Sequence, residues 1–362
     1  MSRLLLLDFD GTITQHDTLD ALISLAIAHS TSSPTPPSQR ESDPEPGNEG
    51  AAQQTRTQED LTTVWQAIVA DYITACEAHR ASYRPATHQR TSIEQELEFL
   101  ESWEPVERAS VARVSAAGFF RGLGGVGGRE GEGSQDEEKG AQGAGMLMRL
   151  GREAALAASG AGSGSDPARG AESLGERITV ELRKGFGELM ARAGAAGWEA
   201  AVVSVNWSDE FIRGVMQAGC DSYRGGGASS KSSGDGWPGK VLANTVRLPE
   251  GQILGPQELG GEPLVTAGDK LRAMRWLIKD REEAPKVIYV GDSTTDLACL
   301  VEADLGIVIA GDRESKLLKT TERVQLQVPH VAEADEGSRF VWARDFEEVL
   351  RSGVLERIGG PP

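Results

Sequence analysis

The feature that most constrains the fold is a set of short, mainly apolar runs separated by segments with helical periodicity. Four such runs occur, at 3–9, 200–205, 286–292 and 305–310. A strand that is apolar at every position is typical of a parallel sheet buried on both faces. Because strand and helix alternate through the second half of the chain, the sequence predicts an α/β fold with a doubly wound parallel sheet.

A block of helical segments interrupts this alternation after the first strand. Apolar residues recur on one face of 59–79, and a second helix pair, broken at Pro105, follows. We therefore expect residues 59–121 to form a helical layer. The α/β core into which it is inserted would consist of residues 1–29 and 177–362.

Two long stretches have compositions typical of disordered insertions. Residues 30–58 are rich in proline, serine and charge, and residues 122–176 are rich in glycine, serine, alanine and glutamate. Within the second stretch, 146–158 predicts a weak helix. A shorter interruption of glycine and serine occurs at 225–236.

The composition argues against several classes of function. The 362 residues carry a formal net charge of −18, whereas nucleic-acid surfaces and polybasic membrane anchors require positive charge. The three cysteines have neither the spacing of a metal site nor the even number of a disulfide framework. The sequence shows neither a signal peptide nor an apolar stretch of the roughly 18 residues that cross a bilayer. We expect a cytoplasmic or nuclear protein that binds neither nucleic acid nor membranes.

Polar residues follow three of the predicted strands at the point where each strand ends. They are Asp8, Asp10, Gly11 and Thr12 after the first strand, Ser204 and Asn206 after the second, and Asp292 and Asp296 after the third. A further candidate, Lys270, lies at the start of a predicted helix. Since ligands of parallel sheets bind beyond the carboxyl ends of the strands, we expect these side chains to converge. The Asp-Gly pair alone is equally typical of an ordinary turn.

This combination of side chains indicates phosphoryl transfer. Several carboxylates at one place repel one another unless a cation binds them, and oxygen ligands suit Mg²⁺. One carboxylate can attack phosphorus, while a second can protonate the leaving oxygen and later activate water. A hydroxyl and an ammonium group can hold the phosphate oxygens. The residues therefore predict an enzyme that catalyses phosphoryl transfer.

The motifs DFDGT and GDSTTD, with a serine after the second strand and a downstream lysine, resemble the haloacid dehalogenase-like (HAD) hydrolase superfamily. The helical insertion after the first motif is similar to the cap of its phosphoserine phosphatase-like branch. The segments SVNWS and GDSTTDL resemble fungal members of that branch. The resemblance covers 1–29 and 177–312, and it implies a Rossmann-like core with a helical cap at 59–121.

The resemblance also implies the catalytic and metal-binding roles. Asp8 would be the nucleophile and a metal ligand. Asp10 would be the general acid and base, and would bind the metal through its backbone carbonyl. Lys270 would neutralise the nucleophile and the phosphate. Asp292 and Asp296 would complete the site for Mg²⁺.

The remaining implied roles concern substrate and phosphate. The Ser204 hydroxyl would bind phosphate, and the backbone N–H groups of Gly11 and Thr12 would face it. Asp17 lies where the phosphoserine phosphatases place an acidic residue that contacts substrate, and Asn206 is a second candidate contact.

The function implied is a Mg²⁺-dependent phosphatase that works through an aspartyl-phosphate. Two alternatives remain open: an inactive or regulatory binding protein on the same fold, and a phosphotransferase.

Where phosphoserine phosphatases carry glycines after the second motif, this chain has Val205, Asn206 and Trp207. Their bulk gives the pocket beside the phosphate a different shape.

Overall fold

A computed structural model describes residues 2–31, 56–121, 123, 135–159, 178–223 and 239–359. Most of the predicted disordered insertion at 30–58 and the interruption at 225–236 lie outside these residues. Much of the predicted insertion at 122–176 lies outside them as well. Among the described helices, none combines the length and apolar character that a bilayer crossing requires.

The strands form one large sheet and one small hairpin. In chain order they are β1 (Arg3–Leu7), β2 (Glu199–Val203), β3 (Lys240–Leu242), β4 (Thr245–Arg247), β5 (Gln252–Leu254), β6 (Lys286–Gly291), β7 (Leu305–Ile309) and β8 (Phe340–Ala343). Within the described residues, six strands pair in parallel in the order β3-β2-β1-β6-β7-β8. The predicted α/β fold with a doubly wound parallel sheet is confirmed.

Helices cover both faces of this sheet. In chain order they are α1 (Leu19–Thr31), α2 (Gln58–Ser82), α3 (Ile93–Glu101), α4 (Glu104–Ala117), α5 (Gln135–Ala158), α6 (Phe186–Ala195), α7 (Asp209–Tyr223), α8 (Ala267–Ile278), α9 (Leu297–Glu302), α10 (Lys316–Arg323), α11 (Phe346–Ser352) and α12 (Val354–Gly359).

The leucines of the central strand β1 divide between two hydrophobic cores. Leu5 and Leu7 pack in the core that includes residues of α6 and α7, whereas Leu4 and Leu6 pack in the core that includes residues of α8 and α9. Side chains of a strand point alternately to its two faces, so a strand between two helical layers must be apolar throughout. This requirement explains the unbroken apolar run at the start of the chain.

Helices α2, α3 and α4 form a layer that packs on the core at several points. α2 contacts α1 and α4, α3 contacts α8, and α4 contacts β5. A buried ion pair strengthens this attachment: Arg90 Nε lies 2.7 Å from Glu96 Oε2, and Arg323 of α10 lies 2.9 Å from the same oxygen. The assignment of 59–121 as a cap remains a prediction.

The segment before α6 differs from the sequence prediction. The sequence pattern predicts a helix over residues 177–196, but among the described residues the helix begins only at Phe186. Residues 181–183 instead run antiparallel to the loop at 13–15, with Gln15 N donating to Glu181 O and Arg183 N donating to Ile13 O, both at 2.8 Å. Gly185, at φ +80°, then redirects the chain into the helix.

Three other elements also differ from expectation. The sequence VLANTVRL at 241–248, followed by PEGQIL, predicts a β-hairpin. In the structure its first residues join the main sheet as β3, and only β4 and β5 pair as a hairpin. Pro105 lies in the first turn of α4, where its missing N–H costs no helical hydrogen bond. Helix α5 is longer than the predicted 146–158, and it packs on α7. It therefore corrects the expectation of disorder across that part of 122–176.

Replacing one leucine of β1 tests the two-sided burial of this strand. Leu6 is fully buried, so Leu6→Ala should lower the free energy of unfolding by about 2–5 kcal/mol through lost burial and a cavity. Ile73→Ala on α2, where the side chain is 52% exposed, should change it by less than about 0.5 kcal/mol. Urea unfolding of both variants measures the difference, and equal effects would contradict the assigned core.

Candidate active site

The carboxyl ends of β1 and β6 bring two predicted ligands together. Asp8 follows β1 and its N–H donates to Val290 O at 2.9 Å, so the pairing of the two strands continues to the start of the motif. Asp292 follows β6 directly. Within the described residues, carboxylate oxygens of Asp8, Asp292 and Asp296 lie within 4.8 Å of one another. The structure thus brings together the three side chains that the sequence predicted as carboxylate ligands.

Lys270 provides the positive charge among these acids. Its Nζ lies 2.7 Å from Asp8 Oδ1 and 2.7 Å from Asp296 Oδ1, and the side chain is 1% exposed. A capping box at the start of α8 fixes the first turn of this helix, with Thr266 Oγ1 accepting from Asp269 N at 3.1 Å. The ammonium group therefore enters the cluster from a helix whose start is well defined.

The cluster carries more negative than positive charge. Burial and the neighbouring Asp296 raise the pKa of Asp8 well above its usual value, and the same causes raise the pKa of Asp292 to about 7. Burial lowers the pKa of Lys270, but Asp296 and Asp8 raise it by more, so the ammonium group stays protonated. An excess of buried carboxylate with oxygen donors is the environment that a divalent cation neutralises.

Asp296 is held by neutral donors as well as by Lys270. Tyr289 OH donates to Asp296 Oδ1 at 2.8 Å, and both the backbone N–H and the hydroxyl of Ser293 donate to Oδ2 at 3.0 Å. The tyrosine is fully buried in β6. These bonds fix the orientation of a carboxylate that contacts Lys270 directly.

Asp10 lies in a different environment from Asp8. Its Oδ1 accepts hydrogen bonds from Thr18 N at 2.8 Å and Thr18 Oγ1 at 2.6 Å, and its Oδ2 accepts from Asn206 Nδ2 at 2.8 Å. Burial, and then the nearby Asp17, raise the pKa of Asp10 to about 6. A carboxyl group with such a pKa can donate and accept a proton near neutral pH.

The loop at 11–14 passes very close to Asp292. Gly11 has φ +73°, and a Cβ at this position would lie 2.3 Å from Asp292 Oδ2. Thr12 Oγ1 donates to Asp292 Oδ1 at 3.1 Å. The Gly11 N–H donates to Thr14 Oγ1 at 3.2 Å, and the Thr12 N–H to Phe9 O at 3.3 Å. That these N–H groups face a phosphate remains a prediction.

Ser204 and Asn206 follow β2 and are both fully buried. The Ser204 Oγ accepts from Asn206 N at 3.0 Å. Asn206 Nδ2 contacts Asp10 and Thr18 Oγ1, the latter at 3.1 Å, so its side chain holds the predicted acid. Asp17 is exposed and its Oδ1 accepts from Leu19 N at 2.8 Å, which places it beside the site and outside the carboxylate cluster.

The structure adds residues that the sequence did not single out. Arg183 Nε donates to Thr12 O at 2.9 Å, and its Nη2 donates to Gly11 O, so one guanidinium holds the loop at 11–14. Thr18 and Tyr289 likewise hold Asp10 and Asp296. A hydroxyl in an otherwise apolar strand was a signal that could have identified Tyr289. No comparable signal in the sequence identifies Arg183, which lies more than 170 residues from Gly11 and Thr12, whose carbonyl oxygens it contacts.

No protein-family model matches this chain, and no curated protein matches it. It is similar to solved structures at low identity. A substrate-bound phosphoserine phosphatase is 13% identical over 97% of this chain and 98% of its own, with a TM-score of 0.40. A HAD family hydrolase from Salmonella enterica is 13% identical over 90% of this chain and 66% of its own, with a TM-score of 0.39. A functionally unknown protein from Anaerococcus prevotii is 17% identical over 94% of this chain and 85% of its own, with a TM-score of 0.43. Similarity at this level does not carry a function from one chain to another.

A substitution at Gly11 tests the close approach of the loop to Asp292. Gly11→Ala should lower the free energy of unfolding by about 1–3 kcal/mol, because alanine is strained at this positive φ and its Cβ would collide with the carboxylate. In α6, a Cβ added at Gly194 meets no atom within 4 Å, so Gly194→Ala should be neutral or stabilising by up to about 1 kcal/mol. Equal urea midpoints for the two variants would show that the loop is not constrained in this way.

Proposed function

We propose that this protein is a Mg²⁺-dependent phosphatase that hydrolyses a small phosphate monoester through an aspartyl-phosphate on Asp8. The observation that carries the proposal is the contrast between two carboxylates two residues apart. Asp8 contacts Lys270 and lies among other acids, whereas Asp10 is held by the neutral donors of Thr18 and Asn206. Two carboxyl groups in such different environments suit the separate tasks of nucleophile and proton donor.

Asp8 is the proposed nucleophile. Its carboxylate would attack phosphorus and form an acyl-phosphate bond, while the bond from phosphorus to the substrate alcohol oxygen breaks. The ammonium group of Lys270, 2.7 Å from Asp8 Oδ1, favours the ionised form of this buried carboxylate and can neutralise charge on the phosphate. The Ser204 hydroxyl accepts from Asn206 N, which leaves its proton for a phosphate oxygen.

Asp10 is the proposed acid and base. It would give a proton to the departing alcohol oxygen in the first step. In the second step it would take a proton from water, whose oxygen attacks the aspartyl-phosphate, so that inorganic phosphate leaves and Asp8 is restored. The pKa of about 6 fits both tasks, and Thr18 and Asn206 fix the orientation of the carboxyl group.

The donor set fits a hard divalent cation. Asp8, Asp292 and Asp296 offer oxygen atoms within 4.8 Å of one another, and burial with mutual repulsion raises the pKa values of Asp8 and Asp292. These three residues would hold Mg²⁺, with the backbone carbonyl of Asp10 as the further proposed ligand. When bound, the ion would supply positive charge for the phosphate oxygens.

Removal of the nucleophile tests the proposal. Asp8→Asn should reduce phosphate release from phenyl phosphate at least about a thousand-fold, because the amide cannot form the covalent intermediate. Circular dichroism should show an unchanged fold. Asp280→Asn on the surface, where the side chain is 87% exposed, makes the same change of charge and should keep full activity. Turnover retained by Asp8→Asn would overturn the aspartyl-phosphate. Transfer of phosphate to an added alcohol in place of water would indicate a phosphotransferase.

Removal of divalent cations tests the metal site through two readouts. Dialysis against EDTA should abolish turnover, and added Mg²⁺ should restore it. At a Mg²⁺ concentration of 100 times Kd the free energy of unfolding should rise by about 2.7 kcal/mol, because only the folded protein holds the carboxylates together. Asp292→Asn should reduce this stabilisation. A chelated protein with unchanged activity and unchanged unfolding would contradict the proposal.

A further inference from the structure

A cavity of about 360 Å³ lies between the helical layer and the edge of the sheet beside Asp10. Both oxygens of Asp10 are held by Thr18 and Asn206. The sequence neighbours of these two residues all line the cavity: Asp17, Leu19, Val205 and Trp207. The cavity is therefore lined by the residues on either side of the two that hold Asp10, and the alcohol part of a substrate would lie in it.

The wall formed by the helical layer and Trp207 is largely apolar and aromatic. Trp65, Ile68 and Tyr72 of α2 line it together with Val111 of α4. The rings of Trp65 and Trp207 pack edge to face with centroids 6.2 Å apart. Trp207 occupies one of the positions at which the resemblance would lead one to expect glycine. The bulk that the sequence placed after Ser204 thus forms part of this wall.

The charged side chains that line the cavity are all acidic. Among the described residues around it, Asp17, Asp20 and Glu107 are the charged ones, and none is lysine, arginine or histidine. Trp65 Nε1 donates to Asp20 Oδ1 at 2.8 Å, and Tyr72 OH donates to Glu107 Oε1 at 2.7 Å. No described lysine, arginine or histidine forms an ion pair with these carboxylates.

We propose that the substrate is a phosphate monoester of a largely apolar alcohol that carries an ammonium group and no second anion. This inference rests on the proposed phosphatase function. A carboxylate on the alcohol would lie beside three acids, of which Asp17 and Asp20 are exposed, without a cation to receive it. An ammonium group would instead meet carboxylates and the faces of aromatic rings, both of which bind cations. The phosphate itself would lie against Lys270, on the other side of Asp10.

Three esters with the same phosphoryl group and similar phenol leaving groups test this proposal at pH 7.5. They are phenyl phosphate, 4-(2-aminoethyl)phenyl phosphate and 4-(carboxymethyl)phenyl phosphate. We expect kcat/KM to be highest for the ammonium ester and lowest for the carboxylate ester, with about a tenfold difference or more between them. If kcat/KM for 4-(carboxymethyl)phenyl phosphate equalled that for 4-(2-aminoethyl)phenyl phosphate, the inference would be overturned and the phosphatase function would stand. Turnover of none of the three would overturn the phosphatase function and this inference with it.

Variants of the wall test whether its charge is the cause. Glu107→Gln keeps the size of the side chain and an acceptor for Tyr72, and it should lower the ammonium-to-carboxylate ratio of kcat/KM about tenfold. Asp20→Asn, which keeps an acceptor for Trp65, should shift the ratio in the same direction. Glu98→Gln, on the exposed side of α3, should leave the ratio unchanged. A ratio that neither wall variant alters would overturn the assignment of these carboxylates to substrate selection.

Discussion

The rest of the candidate site depends on the two ion pairs that the buried ammonium group of Lys270 forms with carboxylates. The ammonium group lies 2.7 Å from one oxygen of Asp8 and 2.7 Å from one oxygen of Asp296. In a medium of low dielectric, carboxylates this close repel one another strongly unless a cation lies between them. The capping box of Thr266 and Asp269 sets the start of α8, and it therefore determines where the ammonium group can reach.

The separation of two neighbouring carboxylates follows from the turn after β1. In a continued strand, Asp8 and Asp10 would point to the same face, because side chains alternate with a period of two. Instead the N–H groups of residues 12–14 all donate to Phe9 O, and the chain turns sharply at that point. One carboxylate consequently faces β6 and the acidic cluster, while the other faces Asn206 after β2. The different hydrogen-bond and ion-pair partners of the two groups arise from this change of direction.

The sequence predicted those parts of the molecule that leave a local signal. Apolar runs indicated the central strands, and strand-end acids indicated which side chains would converge, because both follow from burial and from parallel topology. The contacts of Arg183 and Thr18 arise only when distant segments meet, and neither residue type is unusual where it stands. The strand β8 is only four residues long. Glu181, Leu182 and Arg183 are good helix formers, but tertiary pairing with the loop at 13–15 overrides that preference.

The pairing of 181–183 with 13–15 has a consequence for how such a chain can evolve. Between α1 and residue 178 the chain forms the helical layer and α5, and residues 181–183 are then fixed by backbone hydrogen bonds to the loop that follows Asp8. Because the entropy of closing a loop grows only slowly with its length, segments between these points can lengthen or shorten at little energetic cost. Those segments include the helices that wall the cavity. The proposed reaction and the proposed choice of substrate can therefore diverge as separate inherited traits.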